Sequence, residues 1–482
     1  MRIDVIPGVS ALPPGRAARL QVLVRLRADA EDDVPVPAPG AGHAAVAAVA
    51  AAAAVAPPAR RRSLALALVL DRSSSMRGRP LRHAAEAARL VASRLDQDDR
   101  LCIVTFDREV STLFGPEGLD ERSRVRLSDR LDYLMSGYLT NLGGGLTEGC
   151  KRVAPFARAG MPTRVVLLTD GLPSYGVSDA AELCELAAFY HEFGITISAV
   201  GLGIGFDEEL LTRIATRGGG SFHFVRRSDE VPAALSAELT DLFHLAAEGS
   251  QVRIDMTAAA DGVDVLHAYP AAREGAEVVV DVGEVYTGAP RLLLLEFALP
   301  EAAMAAPGEV RVASLSVRYR RGGRGISEER VTVTTQVQAG VAEAATPEVA
   351  RQAALLRAAA AEQAAVRRAD AGDLRAAREI LEQAAEALRA ELGADAHAEL
   401  RRKLSEICDA ADRLRAGEYG HAQRKAMVQS AWRTHVSRVA PMPRAAAPAG
   451  APPHDKASGA VLTDDAESEV DGETVDPDEE DE

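Results

Sequence analysis

The sequence of 482 residues contains few cysteines, and they are widely spaced. Cys102, Cys150, Cys184 and Cys408 lack the paired spacing of a zinc site or a redox motif. Three of them fall within apolar or helix-like stretches, so we expect buried, reduced thiols. A chain of this length has room for roughly three domains of about 150 residues, each able to bury a core. A small secreted scaffold that depends on disulfides is therefore excluded.

Long hydrophobic runs are also missing. Residues 1–12 lack the basic start and the following apolar run of a signal peptide. The apolar run at 44–56 consists of thirteen Ala and Val residues and is ended by Pro57. It is too short and too weakly hydrophobic to cross a bilayer. We therefore expect a cytoplasmic protein without a membrane span.

Positive charge is in deficit, with 55 Lys and Arg against 71 Asp and Glu and a formal net charge of -16. Twelve acidic residues and no basic residue lie between Asp464 and Glu482, so the rest of the chain carries 59 acids against 55 bases. A nearly neutral body with an acidic tail is not typical of proteins that bind a phosphate backbone. Nucleic acid is therefore not an expected partner.

Continuous apolar runs alternate with amphipathic helical stretches between residues 64 and 248. The runs are 64–70, 101–106, 165–169, 196–202 and 222–225. Strands that are apolar on both faces and alternate with helices are typical of a mostly parallel sheet covered on both sides. The helical stretches include an apolar stripe from Leu81 to Leu95 and an N-cap at Asp207. The sequence predicts an α/β, doubly wound, Rossmann-like domain over residues 63–248.

Shorter segments of alternating polarity follow this domain. They are 252–256, 263–269, 277–283, 291–297, 310–319 and 329–337. Their spacing is typical of an antiparallel sandwich. Residues 17–27 alternate in the same way but have no neighbouring strand of their own. We infer that the doubly wound domain is inserted in an all-β sandwich, with the first strand in residues 1–30, a linker at 31–62 and the remaining strands at 249–340.

Residues 346–438 are rich in Ala, Leu, Glu and Arg at helical spacing, with breaks at 371–373, 393–395 and 416–418. This pattern predicts an α-helical region of four helices in hairpins. Similar helix starts after two of the breaks leave two interpretations open, a tetratricopeptide-like repeat and an ordinary small bundle. Residues 439–482 begin with Pro and Ala and end with acids, which predicts a disordered acidic tail.

Oxygen-bearing side chains follow the carboxyl ends of predicted strands. Asp71, Ser73 and Ser75 follow the first strand of the doubly wound domain, and Asp170 follows a later one. Thr140 lies in a loop between them. A D-x-S-x-S pattern alone is a weak signal, because serine-rich turns commonly cap the next helix. Three such loops at the ligand-binding edge of one sheet are a stronger signal, since this edge brings their oxygens together.

With these motifs, residues 64 to about 245 resemble a von Willebrand factor A domain with its metal-ion-dependent adhesion site. Asp71, Ser73, Ser75, Thr140 and Asp170 occupy the five ligand positions of that family. The resemblance implies that the hydroxyls contact the ion directly and that the carboxylates act largely through water. Such a hard oxygen set suits Mg²⁺, with Mn²⁺ or Ca²⁺ as alternatives, better than zinc. It also implies a partner protein whose Asp or Glu completes the coordination.

The sequence offers little for catalysis. A nucleophilic serine needs an adjacent base, and no motif places a histidine beside Ser73 or Ser75. His83 lies on the following helix, off its apolar stripe. The glycines 143–145 lack the Lys and Ser/Thr of a P-loop and indicate close backbone approach at a helix start, where Asn141 orders the loop. We therefore expect a binding module and not an enzyme.

Two aromatic residues near the predicted site have two open interpretations. Tyr175 follows the last ligand, and Phe206 precedes a predicted helix. Each is expected either to contact a partner from the rim of the site or to pack under its own loop.

The leading interpretation is an Mg²⁺-dependent protein-interaction module or scaffold in a bacterial signalling, stress or chaperone-like assembly. The family resemblance implies that the protein accompanies MoxR-type ATPases, or serine/threonine kinases and phosphatases. The alternative is a regulatory subunit of such a system that is autoinhibited when its own acidic tail occupies the metal site in cis. A structural protein with a vestigial site is disfavoured by the intact ligand set.

Overall fold

The computed structural model describes residues 1–28, 62–320, 326–338, 346–392 and 397–436. Almost all of the predicted linker, the predicted break at 393–395 and the predicted acidic tail lie outside the described residues. No helix of the described part has both the length and the apolar character needed to cross a membrane.

Three strands precede the central domain. They are β1 (Arg2–Pro7), β2 (Ala11–Leu12) and β3 (Ala18–Arg27). The alternating pattern of β3 places Leu20, Val22, Val24 and Leu26 in a buried core. β1 pairs antiparallel with β3, although its half-buried sequence was not predicted as a strand.

The central domain is the predicted doubly wound sheet. Its strands are β4 (Ala65–Asp71), β5 (Arg100–Phe106), β6 (Val110–Glu117), β7 (Thr163–Thr169), β8 (Ile195–Leu202) and β9 (Gly219–Val225), in the order β6-β5-β4-β7-β8-β9. All pairs are parallel except that of β6, a partly exposed edge strand which has no continuous apolar run and which the sequence analysis missed. The order places β4 and β7 side by side at the centre.

Six helices cover the two faces of this sheet. They are α1 (Arg79–Arg94), α2 (Glu121–Asp132), α3 (Leu142–Arg158), α4 (Ala180–Glu192), α5 (Glu208–Arg217) and α6 (Val231–Phe243). Alternate residues of β4 enter different cores: Leu66 and Leu68 pack with α1 and α6, while Ala67 and Val69 pack with α3 and α4. The prediction of strands buried on both faces is confirmed.

The strands after the central domain complete a two-sheet sandwich. They are β10 (Leu245–Met256), β11 (Gly262–Val265), β12 (Ala271–Glu274), β13 (Glu277–Tyr286), β14 (Arg291–Leu299), β15 (Gly308–Arg320) and β16 (Ile326–Val337). One sheet has the order β1-β3-β14-β11 and the other β12-β13-β10-β15-β16-β2. β3 precedes the central domain in the sequence, and its pairing partner β14 follows that domain. The predicted insertion of the domain in a sandwich is therefore confirmed.

The last region consists of α7 (Pro347–Asp370), α8 (Leu374–Glu391), α9 (Ala398–Arg415) and α10 (His421–His435). Gly372 and Gly417 adopt φ of +84° and +76° at two of the predicted breaks, a conformation that favours glycine. The helix α10 returns to pack against α7 more extensively than against α9. This closed arrangement is that of a small bundle, not of stacked repeats.

Candidate metal centre

Asp71 is the most buried member of the predicted site. It is the last residue of β4, and its Oδ1 accepts a hydrogen bond of 2.8 Å from the backbone N–H of Ser73. Its Oδ2 accepts one of 2.5 Å from the hydroxyl of Thr169, at the end of the neighbouring strand β7. Burial raises the pKa of Asp71 to about 6 despite these hydrogen bonds, which favour the charged form. A nearby cation would offset this burial cost.

The two serines connect the β4 loop to the β7 loop. A short 3₁₀ helix over Ser74–Met76 follows Ser73 and turns the chain, so that the hydroxyls of Ser73 and Ser75 lie 3.0 Å apart. The hydroxyl of Ser75 donates a hydrogen bond of 2.6 Å to Oδ1 of Asp170. Asp170 directly follows β7, and burial raises the pKa of its carboxyl. Four of the five predicted ligands thus form one connected cluster.

Thr140 brings the third loop to the same point. Its backbone N–H donates to the hydroxyl of Ser174 (2.9 Å) and its carbonyl accepts from the N–H of the same residue (3.0 Å). A β-carbon placed on Gly171 would lie 3.6 Å from Oγ1 of Thr140 and 3.7 Å from Oγ of Ser75. All five predicted residues therefore meet at one edge of the sheet, and the donor set of three hydroxyls and two carboxylates fits a hard divalent cation.

Asp107 supports the site but was missed by the sequence analysis. Its carboxylate follows β5 and accepts hydrogen bonds from the side chain of Arg72 (2.9 Å) and the N–H of Glu109 (3.0 Å). Its carbonyl accepts from the N–H of Asn141 (2.8 Å). A β-carbon on Gly137 would meet the carboxylate at 1.7 Å, so this loop requires glycine there. The signal was available, because Asp107 also is a carboxylate at the end of an apolar strand.

The glycine run has the predicted role at a helix start. The side chain of Asn141 caps α3 by accepting a hydrogen bond of 3.0 Å from the N–H of Gly144. A β-carbon on Gly145 would lie 2.6 Å from the ring of Phe106, at the end of β5. The close approach of α3 to the sheet therefore depends on glycine. This helix start positions Thr140 just before it.

The two aromatic residues with open interpretations have different environments. Phe206 is only 3% exposed and packs against the rings of Phe222 and Phe224, so it belongs to the core. Tyr175 is 41% exposed, and its ring centroid lies 5.4 Å from the guanidinium of Arg108. Tyr175 is therefore a rim residue.

His83 is half-buried and contacts another loop. Its Nδ1 lies 2.8 Å from the hydroxyl of Ser228, before α6. This contact with Ser228 gives His83 a structural partner. The serine hydroxyls of the site are hydrogen-bonded to each other and to Asp170 instead.

The helix α10 of the helical region contacts a loop that lies next to the predicted site. Nζ of Lys425 donates to the carbonyl of Phe206 and to the carboxylate of Glu208, each at 2.5 Å. These residues belong to the loop between β8 and α5 and to the start of α5. A β-carbon on Gly205, in the same loop, would lie 2.7 Å from the carbonyl oxygen of Asp170. The bundle therefore holds the loop that supports one predicted ligand, a contact with no sequence signal.

Comparisons with known proteins agree with the fold of the central domain. Residues 65–237 match the family model of the von Willebrand factor type A domain. An uncharacterized protein of Synechocystis is 26% identical over 295 residues, which cover 56% of this chain and 65% of the relative. The matched part thus spans just under two thirds of that relative's length.

Two solved structures resemble most of the chain. The von Willebrand factor type A protein of Catenulispora acidiphila has a TM-score of 0.64 at 14% identity, covering 89% of this chain and 96% of that one. The ArnB paralog VWA2 of Sulfolobus acidocaldarius has a TM-score of 0.56 at 13% identity, covering 90% and 97%. Fold and site define an α/β domain with an oxygen-lined loop cluster. Residues 65–237 form a von Willebrand factor type A (VWA) domain.

Proposed function

We propose that this chain is a protein-interaction module or scaffold, of the kind that works in bacterial signalling, stress or chaperone-like assemblies, whose VWA domain binds a partner through a metal ion. Asp71, Ser73, Ser75, Thr140 and Asp170 would hold Mg²⁺, with Mn²⁺ or Ca²⁺ as acceptable substitutes. The observation that carries the proposal is the continuous contact from Ser73 through Ser75 to Asp170 across two loops.

The chemistry of these residues favours binding of a carboxylate. A bound Mg²⁺ would supply a Lewis-acidic position to an Asp or Glu of the partner. The three hydroxyls are neutral and do not reduce that acidity, whereas Asp71 and Asp170 balance the charge of the ion. Asp71 is already fixed by two hydrogen bonds, so little reorganisation is needed when the ion binds. Within the described residues, neither serine hydroxyl contacts a histidine that could act as a base. We therefore propose that the site binds its partner and does not catalyse a reaction.

The proposal predicts loss of metal affinity when the serine hydroxyls are removed. The double variant Ser73→Ala/Ser75→Ala is expected to bind Mg²⁺ more than about tenfold more weakly, measured by calorimetry or by Mn²⁺ electron paramagnetic resonance. Its circular dichroism spectrum is expected to be unchanged. Ser74→Ala is the matched control, because Ser74 lies between the two serines, is exposed and contributes its backbone N–H to the fold. Unchanged affinity in the double variant would contradict the proposal.

Partner capture tests the second half of the proposal. Pull-down from the native host is expected to recover a partner in Mg²⁺ but not in EDTA, and not with the double variant. A chain that lacks residues 457–482 separates the leading function from the alternative of a tail-autoinhibited regulatory subunit. Tighter partner binding after truncation supports autoinhibition by the acidic tail, and unchanged binding argues against it.

A further inference from the structure

Exposed large apolar side chains are concentrated around the metal site. The described residues include thirteen such side chains, and eight of them lie on the segments 133–139, 172–177 and 204. Large apolar side chains grouped on adjoining loops are typical of an interaction surface, whereas scattered ones are not. Six of the eight border the predicted ligands and form what we name the apolar rim: Tyr138, Leu139, Leu172, Tyr175, Val177 and Ile204.

Backbone contacts attach the apolar rim to the ligand loops. The carbonyl of Tyr138 accepts a hydrogen bond of 3.1 Å from the N–H of Ser74, and the N–H of Tyr175 donates one of 3.2 Å to the carbonyl of Thr140. Gly205, the residue after Ile204, lies against the backbone of Asp170, because a β-carbon placed on it would be 2.7 Å from the carbonyl oxygen. The rim therefore lies on several sides of the five oxygen ligands, at positions fixed by the same loops.

Positive charge lies next to these loops, at Arg77 and Arg79 shortly after Ser75 and at Arg108 in the loop between β5 and β6. Arg77, Arg79 and Arg108 are exposed. None of the three forms an ion pair with another of the described residues, and the guanidinium of Arg108 lies over the ring of Tyr175. By contrast, Arg72 on the same edge is paired with Asp107 at 2.9 Å. An acidic partner segment would thus meet unpaired cations around the apolar rim.

Resting on the proposed metal-dependent capture of a carboxylate, we propose that the partner presents its Asp or Glu from an apolar segment. In this segment large aliphatic or aromatic side chains flank the carboxylate and cover the rim, and further acids lie outside them to meet the arginines. A segment with carboxylates alone would leave the rim exposed to water. Burial of the rim's apolar surface on binding contributes favourable free energy.

Labelled peptides of defined sequence test this inference on the full chain in Mg²⁺. Three peptides have one central Asp, flanked on both sides by two Leu, two Ser or two Glu residues. A fourth peptide has Asn in place of the Asp, flanked by Leu. Fluorescence anisotropy is expected to show binding of the Leu-flanked peptide at least about tenfold tighter than that of the Ser- and Glu-flanked peptides, and none of the Asn peptide. EDTA is expected to abolish all binding.

Variants of the rim assign the effect to this surface. Tyr138→Ser/Leu172→Ser is expected to reduce binding of the Leu-flanked peptide to the Ser-flanked level while the affinity for Mn²⁺ is kept. Phe189→Ser/Phe193→Ser is the matched control, because this exposed pair of rings lies just before the amino end of β8, at the opposite edge of the sheet. The control is expected to bind the peptide as the unmodified chain does.

Several outcomes would overturn the inference. Equal affinity of the Leu-, Ser- and Glu-flanked peptides, with Mn²⁺ still bound, rejects the apolar segment and leaves the metal-dependent capture intact. Absence of Mn²⁺ binding by the unmodified chain instead rejects the proposed function. Self-association in Mg²⁺ that the rim variant abolishes, measured by sedimentation velocity, would assign the rim to a second copy of the chain. Tighter binding of a peptide of residues 457–482 than of the Leu-flanked peptide would likewise overturn it.

Discussion

The position of Asp71 depends on a residue that is not a predicted ligand. Thr169 is fully buried at the end of β7, and its hydroxyl donates to the Oδ2 of Asp71. The two strands are paired in parallel register, with Leu70 opposite Leu168. This register places Thr169 beside the carboxylate that follows, so the orientation of Asp71 is fixed by the sheet itself.

Replacement of Thr169 by Val should therefore weaken both the fold and the proposed metal site. The variant keeps the size of the side chain but leaves a buried carboxylate oxygen without its donor, which costs about 1–3 kcal/mol. Urea unfolding is expected to show this loss, and Mn²⁺ titration a weaker site. Thr169→Ser keeps the hydroxyl and should retain most of the metal affinity. Equal stability of Thr169→Val and the unmodified chain would show that this hydrogen bond does not hold Asp71.

At the scale of helices and strands, one buried histidine joins the sandwich to the helical region. Nδ1 of His267 accepts a hydrogen bond of 2.9 Å from the N–H of Leu294 in β14, and its Nε2 lies 3.2 Å from the amide of Gln352 in α7. Burial lowers the pKa of His267 to about 3, with further lowering by the charges of His435 and Arg291. The ring is thus neutral in the folded protein over most of the acidic range.

The lowered pKa of His267 predicts a loss of stability on acidification. The unfolded chain takes up a proton near pH 6.5 while the folded one does not, so stability is present above pH 6.5 and falls below it. The expected loss from this residue is about 2 kcal/mol between pH 7 and pH 5. Urea unfolding of the unmodified chain and of His267→Gln, which keeps an acceptor, isolates the contribution. Parallel pH profiles of the two proteins would contradict it.

The elements differ in how far the sequence predicts them, for physical reasons. Strands buried on both faces, such as β4, have continuous apolar runs and were predicted within a few residues. The edge strands β1 and β6 are partly exposed and carry mixed sequences, so their pairing depends on the neighbouring strand and not on their own pattern. Alternation within β3 was sufficient to infer an inserted domain, because a half-buried strand needs a partner sheet.

The residues of the candidate site also differ in how far the sequence predicts them. Residues that follow apolar strands, such as Asp71 and Asp170, were predicted because the edge of a parallel sheet brings such loops together. Lys425 was not predicted, because its contact with Phe206 joins residues far apart in the sequence. Periodicity and motif spacing carry no information on such long-range pairs.

At the scale of the whole molecule, a buried ionic cluster joins the VWA domain to the sandwich. Arg164 of β7 is fully buried and pairs with Glu238 of α6 and with Glu284 of β13. The hydroxyl of Tyr286 accepts a further hydrogen bond of 3.2 Å from the same guanidinium. Arg164 therefore pairs with two buried carboxylates that belong to different domains, and Glu238 also contacts Nε2 of His223 at 2.9 Å.

Removal of this arginine should destabilise both domains together. Arg164→Met leaves Glu238 and Glu284 buried without this guanidinium, which costs about 3–5 kcal/mol, although an apolar side chain fills the space. Urea unfolding followed by circular dichroism and by the fluorescence of Trp432, the single tryptophan, is expected to show this loss. Arg227→Met is the control, because that arginine is 75% exposed in its ion pair and its loss should cost less than about 1 kcal/mol. Equal effects of the two variants would mean that the cluster does not join the domains energetically. Partial recovery in Arg164→Met/Glu238→Gln/Glu284→Gln would instead identify the two carboxylates that lose Arg164 as the source of the loss.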